Sequence, residues 1–257
     1  MRILISNDDG IHADGLKALL ESLQDLGELF VVAPDRERSA TGHGITVDRP
    51  LRITPVRLPV NVSRAWAVDG TPADCVKLAV EDLLPEPPHL VVAGINQGPN
   101  LGTDVLYSGT VSAAIEGVIN GFPALAVSLA AYEKMDFGPA GQFIREIIPA
   151  IFKNNLPPDT LLNINVPAGG TRGRRITCLG NRRYINIFHK RTDPRGRVYY
   201  WMAGEPMDME DKKPGNTDVE AVRNQYISIT PIQLDLTNYR AMHGVENWLS
   251  DLTQAEK

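Results

Sequence analysis

Arg2-Ile-Leu-Ile-Ser-Asn-Asp-Asp-Gly10 and Leu29-Phe-Val-Val-Ala-Pro-Asp35 share one plan. Each is a short, unbroken apolar run that stops at acidic or turn-forming residues. Between them Leu16, Leu19, Leu20, Leu23 and Leu26 recur at spacings of three and four, which is one face of a helix. Strand, helix, strand is therefore the opening unit, and the pattern continues. Ala73 to Leu84 reads as a helix, Leu90 to Ala93 as a strand, Ser108 to Asn120 as a helix and Ala124 to Leu129 as a strand. Phe137 to Phe152 reads as a helix and Leu161 to Val166 as a strand. Strands that are apolar without alternation are buried on both faces, which points to a parallel sheet covered by helices. Right-handed crossovers then predict a three-layer, Rossmann-like, doubly wound α/β core over residues 1–166.

Residues 167–257 differ in kind. Pro167-Ala-Gly-Gly170 breaks the alternation. Arg183 to Trp201 has the pattern of a long hairpin turning at Asp193-Pro-Arg-Gly196. Tyr199, Tyr200 and Trp201 are adjacent, and three neighbouring aromatics cannot all face one small core. The hairpin is therefore expected to project and to pack on another subunit. Met207 to Asn216 reads as a loop, Tyr226 to Thr230 as a strand and Tyr239 to Leu252 as a closing helix. A chain of 257 residues allows one large domain or two small ones, with the projecting β-hairpin in its last third.

Composition excludes several classes. Of 257 residues, 43% are hydrophobic and 22% charged, close to an average globular chain and far from disorder, collagen or coiled coil. The longest nearly apolar run, Phe122 to Tyr132, is well short of the ~20 residues a transmembrane helix needs. Asp8 and Asp9 interrupt the first apolar run at once, unlike a signal peptide. Cys75 and Cys178 are far apart and make no metal-binding or disulfide pattern. A cytoplasmic setting is the expectation. The net charge of −5 disfavours a general nucleic-acid coat. Arg172 to Arg197 nevertheless collects nine Lys and Arg against one acid, Asp193. Such a segment is either a solvated or partner-facing hairpin, or a collar for an anionic ligand.

Four polar clusters follow the apolar runs: Asn7-Asp-Asp-Gly10, Asp35-Arg-Glu-Arg-Ser39, Gly94-Ile-Asn-Gln-Gly-Pro-Asn100 and Ser108-Gly-Thr110. Ligands of open α/β sheets bind outside the carboxyl ends of the strands, so all four should meet along one edge. Asp8 and Asp9 serve either as an Asp-Gly turn with a helix cap, or as a pair of carboxylates whose repulsion a divalent cation relieves. Either Ser39 is a loop hydroxyl bonding local backbone and Asn96 a turn asparagine bonding nearby amides, or the two add neutral oxygens to the pair. An all-oxygen set suits Mg²⁺ or Mn²⁺ rather than zinc. Ser108, Gly109 and Thr110 open a helix. There they act as ordinary caps, or their N–H and hydroxyl groups hold phosphate. Neither Walker A nor G-x-G-x-x-G is present.

These residues resemble the SurE family, the stationary-phase survival proteins. Arg2 to Gly10 is similar to that family's opening. Val32-Ala-Pro-Asp-Arg-Glu-Arg-Ser39 and Asp69-Gly-Thr-Pro-Ala-Asp-Cys-Val76 are similar to its next two motifs. Ala93 to Gly102, Tyr107-Ser-Gly-Thr-Val111 and Phe122-Pro-Ala-Leu-Ala-Val-Ser128 extend the match. Asp193-Pro-Arg-Gly196, Tyr200-Trp201 and Tyr226-Ile-Ser-Ile-Thr-Pro231 carry it over nearly the whole chain. The resemblance implies a metal-dependent phosphatase of nucleoside 5′-monophosphates that also takes 3′-monophosphates and short polyphosphate. One divalent ion per subunit, Mg²⁺ or Mn²⁺, would be held by Asp8, Asp9, Ser39 and Asn96. Asp8 and Asp9 would be the catalytic pair, and Asn96, Ser108, Gly109 and Thr110 would hold phosphate. The resemblance also implies homodimers or homotetramers and a single domain over 1–257, whose last third carries the projecting β-hairpin and C-terminal oligomerisation elements. Asp14 stands where relatives often carry proline, which touches only a helix start, and Asn216 interrupts a Gly-Thr-Asp run.

Two other readings come from different classes. A nucleotide-sensing module would keep the phosphate cradle without turnover. An RNA-binding protein would use the 172–197 segment, whose nearby aromatics could stack bases. The acidic net charge weighs against the RNA reading.

Overall fold

In the computed structural model, residues 1–133, 135–185, 187–209 and 216–255 are described. The chain starts β1 (Arg2–Ser6), α1 (Asp14–Leu23), β2 (Glu28–Pro34). It continues through β3 (Ile53–Pro55), β4 (Arg64–Val68), α2 (Pro72–Leu78), β5 (Leu90–Gln97) and α3 (Gly109–Ile119). Next come β6 (Ala124–Ala130), α4 (Gly138–Asn154), β7 (Thr160–Pro167) and β8 (Arg174–Ile176). The hairpin strands are β9 (Arg182–Ile185), β10 (Phe188–Thr192), β11 (Val198–Met202) and β12 (Glu205–Asp208). The chain ends in α5 (Asp218–Arg223), β13 (Ile227–Gln233) and α6 (Tyr239–Ala255).

Nine strands form one sheet in the order β3-β4-β2-β1-β5-β6-β7-β13-β8. Strands β4, β2, β1, β5, β6 and β7 run parallel, and β3 and β13 are antiparallel to their neighbours β4 and β7. The period of two splits β1 between two cores. Ile3 and Ile5 join α1 and α4 on one face, with Leu16, Leu20, Phe143 and Ile144. Leu4 joins α2 and α3 on the other, with Val76, Val111 and Ala114. This is the expected three-layer α/β architecture. The switch point lies between β1 and β5, because the chain winds outward through β2 and β4 on one side and through β6 and β7 on the other.

Local chemistry explains the element ends. Thr71 and Asp74 form a reciprocal capping box at the start of α2, with Pro72 inside it. Ala13 caps α1 without a side-chain bond, and Asp14 in the first turn suits the helix dipole. Between Ala93 and Asn96 the register of β5 on β6 shifts. Gly94 stands there at φ 135°, and a Cβ on it would lie 2.4 Å from the carbonyl oxygen of Val127. No other residue fits that position.

Several elements depart from expectation. Strands β3 and β8 carry no apolar run and β4 only a four-residue one, Ala65 to Val68, so none of the three is expected from the sequence. The helix expected over 73–84 is α-helical only to Leu78 and then forms a π-turn over Ala79–Leu83. The hairpin is longer than Arg183 to Trp201. Its stem is β9 on β12 and its tip is β10 on β11, turning over Asp193 to Arg197. Met207 and Asp208, expected in a loop, belong to β12, and residues 210–215 of that loop lie outside the described residues. Helix α6 does not close onto the core: Tyr239, Met242, Val245, Trp248 and Leu249 are all exposed. Tyr199, Tyr200 and Trp201 are likewise exposed on β11. No helix among the described residues is long and apolar enough to cross a membrane.

Candidate active site at the switch point

Four segments meet at the carboxyl edge of β1, β2 and β5. Asp8 is buried, two residues past the end of β1. Thr110, in the first turn of α3, donates its hydroxyl to Asp8 Oδ1 in a short bond, and its backbone N–H also reaches Asp8. Gln97, ending β5, donates its backbone N–H to Asp9 Oδ2 at 3.1 Å across the switch point. Arg38, after β2, donates its backbone N–H to the carbonyl of Asp8 at 2.7 Å. Gly42 donates its N–H to the carbonyl of Tyr107 at 3.0 Å, which lays the 39–44 loop beside the start of α3.

Burial pushes the Asp8 carboxyl up, against the bonds from Thr110. Burial and the neighbouring Asp8 charge push Asp9 up to about 6, against the Gln97 N–H. Two adjacent carboxylates without a countercharge resist ionisation together. Asn7 is fully buried, its Nδ2 donates to the Gly10 carbonyl at 2.9 Å, and its Oδ1 has no donor among the described residues. An oxygen-seeking cation would supply the countercharge the two aspartates lack, so the donor set fits a hard divalent ion. No cluster of three or more His, Cys, Asp or Glu suited to a metal occurs among the described residues. A cation here would therefore depend on neutral oxygens beside the two aspartates.

The remaining candidates are placed as follows. Ser39 is exposed on this edge, and its hydroxyl donates to Glu37 Oε1 at 2.7 Å. Asn96 donates Nδ2 to the Gly98 carbonyl at 2.7 Å, so Oδ1 is the atom it can offer. Ser108 caps α3 by accepting the Val111 N–H at 3.1 Å, and its hydroxyl hydrogen remains a donor. Gly109 packs so closely on Asp8 that a Cβ there would stand 2.7 Å from the Asp8 Cβ. Thr110 spends its hydroxyl on Asp8 and thereby orients that carboxylate. A cavity of about 310 Å³ opens beside Asp9, lined in part by His12, Asp14, Glu37, Met135 and Phe137.

Sequence reasoning missed the groups that hold this edge in place. His43 Nε2 lies 2.8 Å from Glu116 Oε2, and Lys77 and Asn120 both donate to Glu116 Oε1. Burial alone would raise the Glu116 carboxyl, but these partners outweigh it and hold Glu116 below the usual range. Asp74 accepts the N–H and hydroxyl of Thr46. The 39–46 loop is thus tied to α2 and α3. On the β7 side, Asn165 Oδ1 accepts the Asn100 N–H at 2.8 Å, and Asn163 and Asn165 donate to the Asn100 carbonyl. The one advance signal was the density of Asn in Gly94 to Asn100 and in Asn163-Ile-Asn165. The basic 172–197 segment also changes meaning, because Arg182 is buried in ion pairs with Asp104 and Asp208.

The winding order, the acids at the switch point and the helix N-terminus facing them define a Rossmann-like α/β protein with a polar ligand edge. The family described as Survival protein SurE matches residues 3–186. The chain belongs to that family. It is similar to 5′-nucleotidase SurE of Pelotomaculum thermopropionicum, 64% identical over 97% of this chain and 95% of that protein. The protein of the same name from Desulforudis audaxviator is 55% identical over 98% of both. The crystal structure of Sure protein from Aquifex aeolicus superposes with a TM-score of 0.82 at 39% identity, covering 96% of this chain and 99% of that one.

Proposed function

We propose that this protein is a 5′-nucleotidase that hydrolyses nucleoside 5′-monophosphates with one bound Mg²⁺ or Mn²⁺. The carrying observation is the buried Asp8 carboxylate set against the first turn of α3, with Asp9 beside it at the switch point. Relatives named 5′-nucleotidase SurE over nearly the full chain support the reading. We extend it to 3′-monophosphates and short polyphosphate, to a cytoplasmic enzyme and to a homodimer or homotetramer.

Asp8, Asp9, Ser39 and Asn96 would hold the ion, which supplies Lewis-acid polarisation and countercharge for the phosphoryl group. The chain's own groups do the rest. The hydroxyl of Ser108 and the N–H of Gly109 donate to phosphate oxygens as charge spreads over them. Thr110 keeps Asp8 in one orientation. Asp9, the more open carboxylate, orients the attacking water and takes its proton. The cavity beside Asp9 leaves room for the remainder of the substrate.

The test is phosphate release from 5′- and 3′-monophosphates and short polyphosphate, using protein stripped with EDTA and then resupplied with Mg²⁺ or Mn²⁺. Metal-restored release is expected. A folded protein that binds AMP but releases no phosphate with either ion is a nucleotide sensor, and the enzyme reading falls.

A further inference from the structure

The stem of the hairpin reaches back to the turn that precedes α3. That turn, a 3₁₀ segment over Gly102–Leu106, ends where Ser108 begins the helix. Asp104 is its hub. The Asp104 carbonyl accepts the N–H groups of Tyr107 and Ser108, each at 3.0 Å. Its carboxylate is held at both oxygens: Arg182 Nη1 donates to Oδ2 at 3.1 Å and the Tyr184 hydroxyl to Oδ1 at 2.9 Å. Arg182 also donates Nε to Asp208 Oδ1 at 2.8 Å, so its guanidinium spans the stem from β9 to β12. Thr103 donates its hydroxyl to the Arg182 carbonyl. The buried Asp218 carboxylate accepts the N–H groups of Gly102 and Gly180, each at 2.8 Å, pinning the turn and the entry to the stem together.

We propose that Arg182 and Tyr184 are positioning residues for the phosphate-holding turn at Ser108 to Thr110, acting through Asp104. Fixing both carboxylate oxygens fixes the Asp104 backbone, and that backbone holds the Ser108 N–H. The donors are suited to the task. Arg182 presents a rigid fork that one carboxylate cannot satisfy alone, so it bridges two. Burial and the Asp104 charge push the Tyr184 phenol up, which keeps its proton on. The hairpin stem and the start of α3 thus move as one body, and a disturbance in the stem is felt at the site. The inference rests on reading Ser108 to Thr110 as the place where phosphate is held.

Tyr184→Phe, Arg182→Gln, Arg182→Lys and Asp104→Asn test it in the full chain. Tyr184 is 41% exposed and loses only a hydroxyl, so Tyr184→Phe leaves the fold intact even where Arg182→Gln does not. The readouts are the inhibition constant of inorganic phosphate, KM and kcat for AMP, and amide exchange of the 102–112 segment. One lost hydrogen bond of ~1 kcal/mol corresponds to about fivefold. Tyr184→Phe should weaken phosphate inhibition and raise KM by about that factor, with faster exchange confined to 102–112. Arg182→Lys should fall between wild type and Arg182→Gln. Combining Tyr184→Phe with Asp104→Asn should cost less than the sum of the two. Unchanged phosphate affinity, or faster exchange spread evenly over β1 and α4, overturns the proposal. If the wild type hydrolyses no nucleotide, the functional reading fails separately, and the exchange pattern alone decides the positioning.

Discussion

Gly109→Ala places one methyl group against the buried carboxylate of Asp8 at the switch point. Its Cβ would lie 2.7 Å from Asp8 Cβ, 3.0 Å from Asp8 Oδ2 and 3.0 Å from Pro72 Cγ. Carbon atoms in comfortable contact stand ~3.5–4.0 Å apart, so about 1 Å has to be found by moving Asp8 or the first turn of α3. Asp8 cannot swing away, because it is buried and bonded to Thr110 in that same turn. Overpacking of this kind costs ~1–3 kcal/mol, and alanine returns at most ~1 kcal/mol of helix propensity. With that gain realised in full, the net loss is up to ~2 kcal/mol, or as much as about 8 °C in Tm for a domain near this size. Turnover suffers more, since a ~1 Å misplacement costs on the order of 100-fold. Thermal melts and phosphate release from AMP, with saturating Mg²⁺ or Mn²⁺, separate the two effects. Gly109→Ala protein that melts within 1 °C of wild type and keeps its turnover to within about threefold would show that Gly109 is not pressed against the working carboxylate.

Asp8→Asn should lose far more than the ~10–100-fold that follows disturbance of an outer partner, and its metal-free form should melt no lower than wild type because a buried charge is gone. Near-normal release of phosphate would take Asp8 out of the site. Asn165→Leu leaves the Asn100 N–H buried without its acceptor, so urea unfolding should show ~1–3 kcal/mol lost, and a change below ~0.5 kcal/mol would contradict the role given to β7. Glu116 is held below the ordinary carboxylate range near ~4.3, so its contribution is present above that value and drains away as pH falls through its folded-state value. Glu116→Gln should therefore be less stable than wild type at pH 7, with the gap closing toward pH 3. An equal gap at both pH values would mean that the ionised carboxylate is not what His43, Lys77 and Asn120 hold.

Burial on two faces made β1, β2, β5, β6 and β7 readable, because each carries an apolar stretch, and the polar residues within β6 and β7, Ser128, Asn163 and Asn165, are buried as well. Strand β4 is less legible because the apolar part of Arg64-Ala-Trp-Ala-Val68 is only four residues long and two of them are alanine, and β8 because Arg174-Arg-Ile176 owes its place to the ladder offered by β13. The convergence of four motifs on one edge followed from topology alone. The bonds made there did not, since Thr110 and Asp8 are 102 residues apart and only three-dimensional angles bring one to the other. Arg182 shows the limit most sharply. Nothing in a run of nine basic residues marks the one whose partners, 78 and 26 positions away, bury it.

Strand β13 has a consequence for synthesis. It pairs antiparallel with β7, although the chain runs from Pro167 to Ile227 before β13 begins. Until residue 233 is made, β7 presents a bare row of backbone donors and acceptors. At ~5–20 residues per second, the interval from the end of β7 to the end of β13 is roughly 3–13 s. Throughout that time the nascent α/β core carries an open, adhesive edge that its own last third must reach before another chain does.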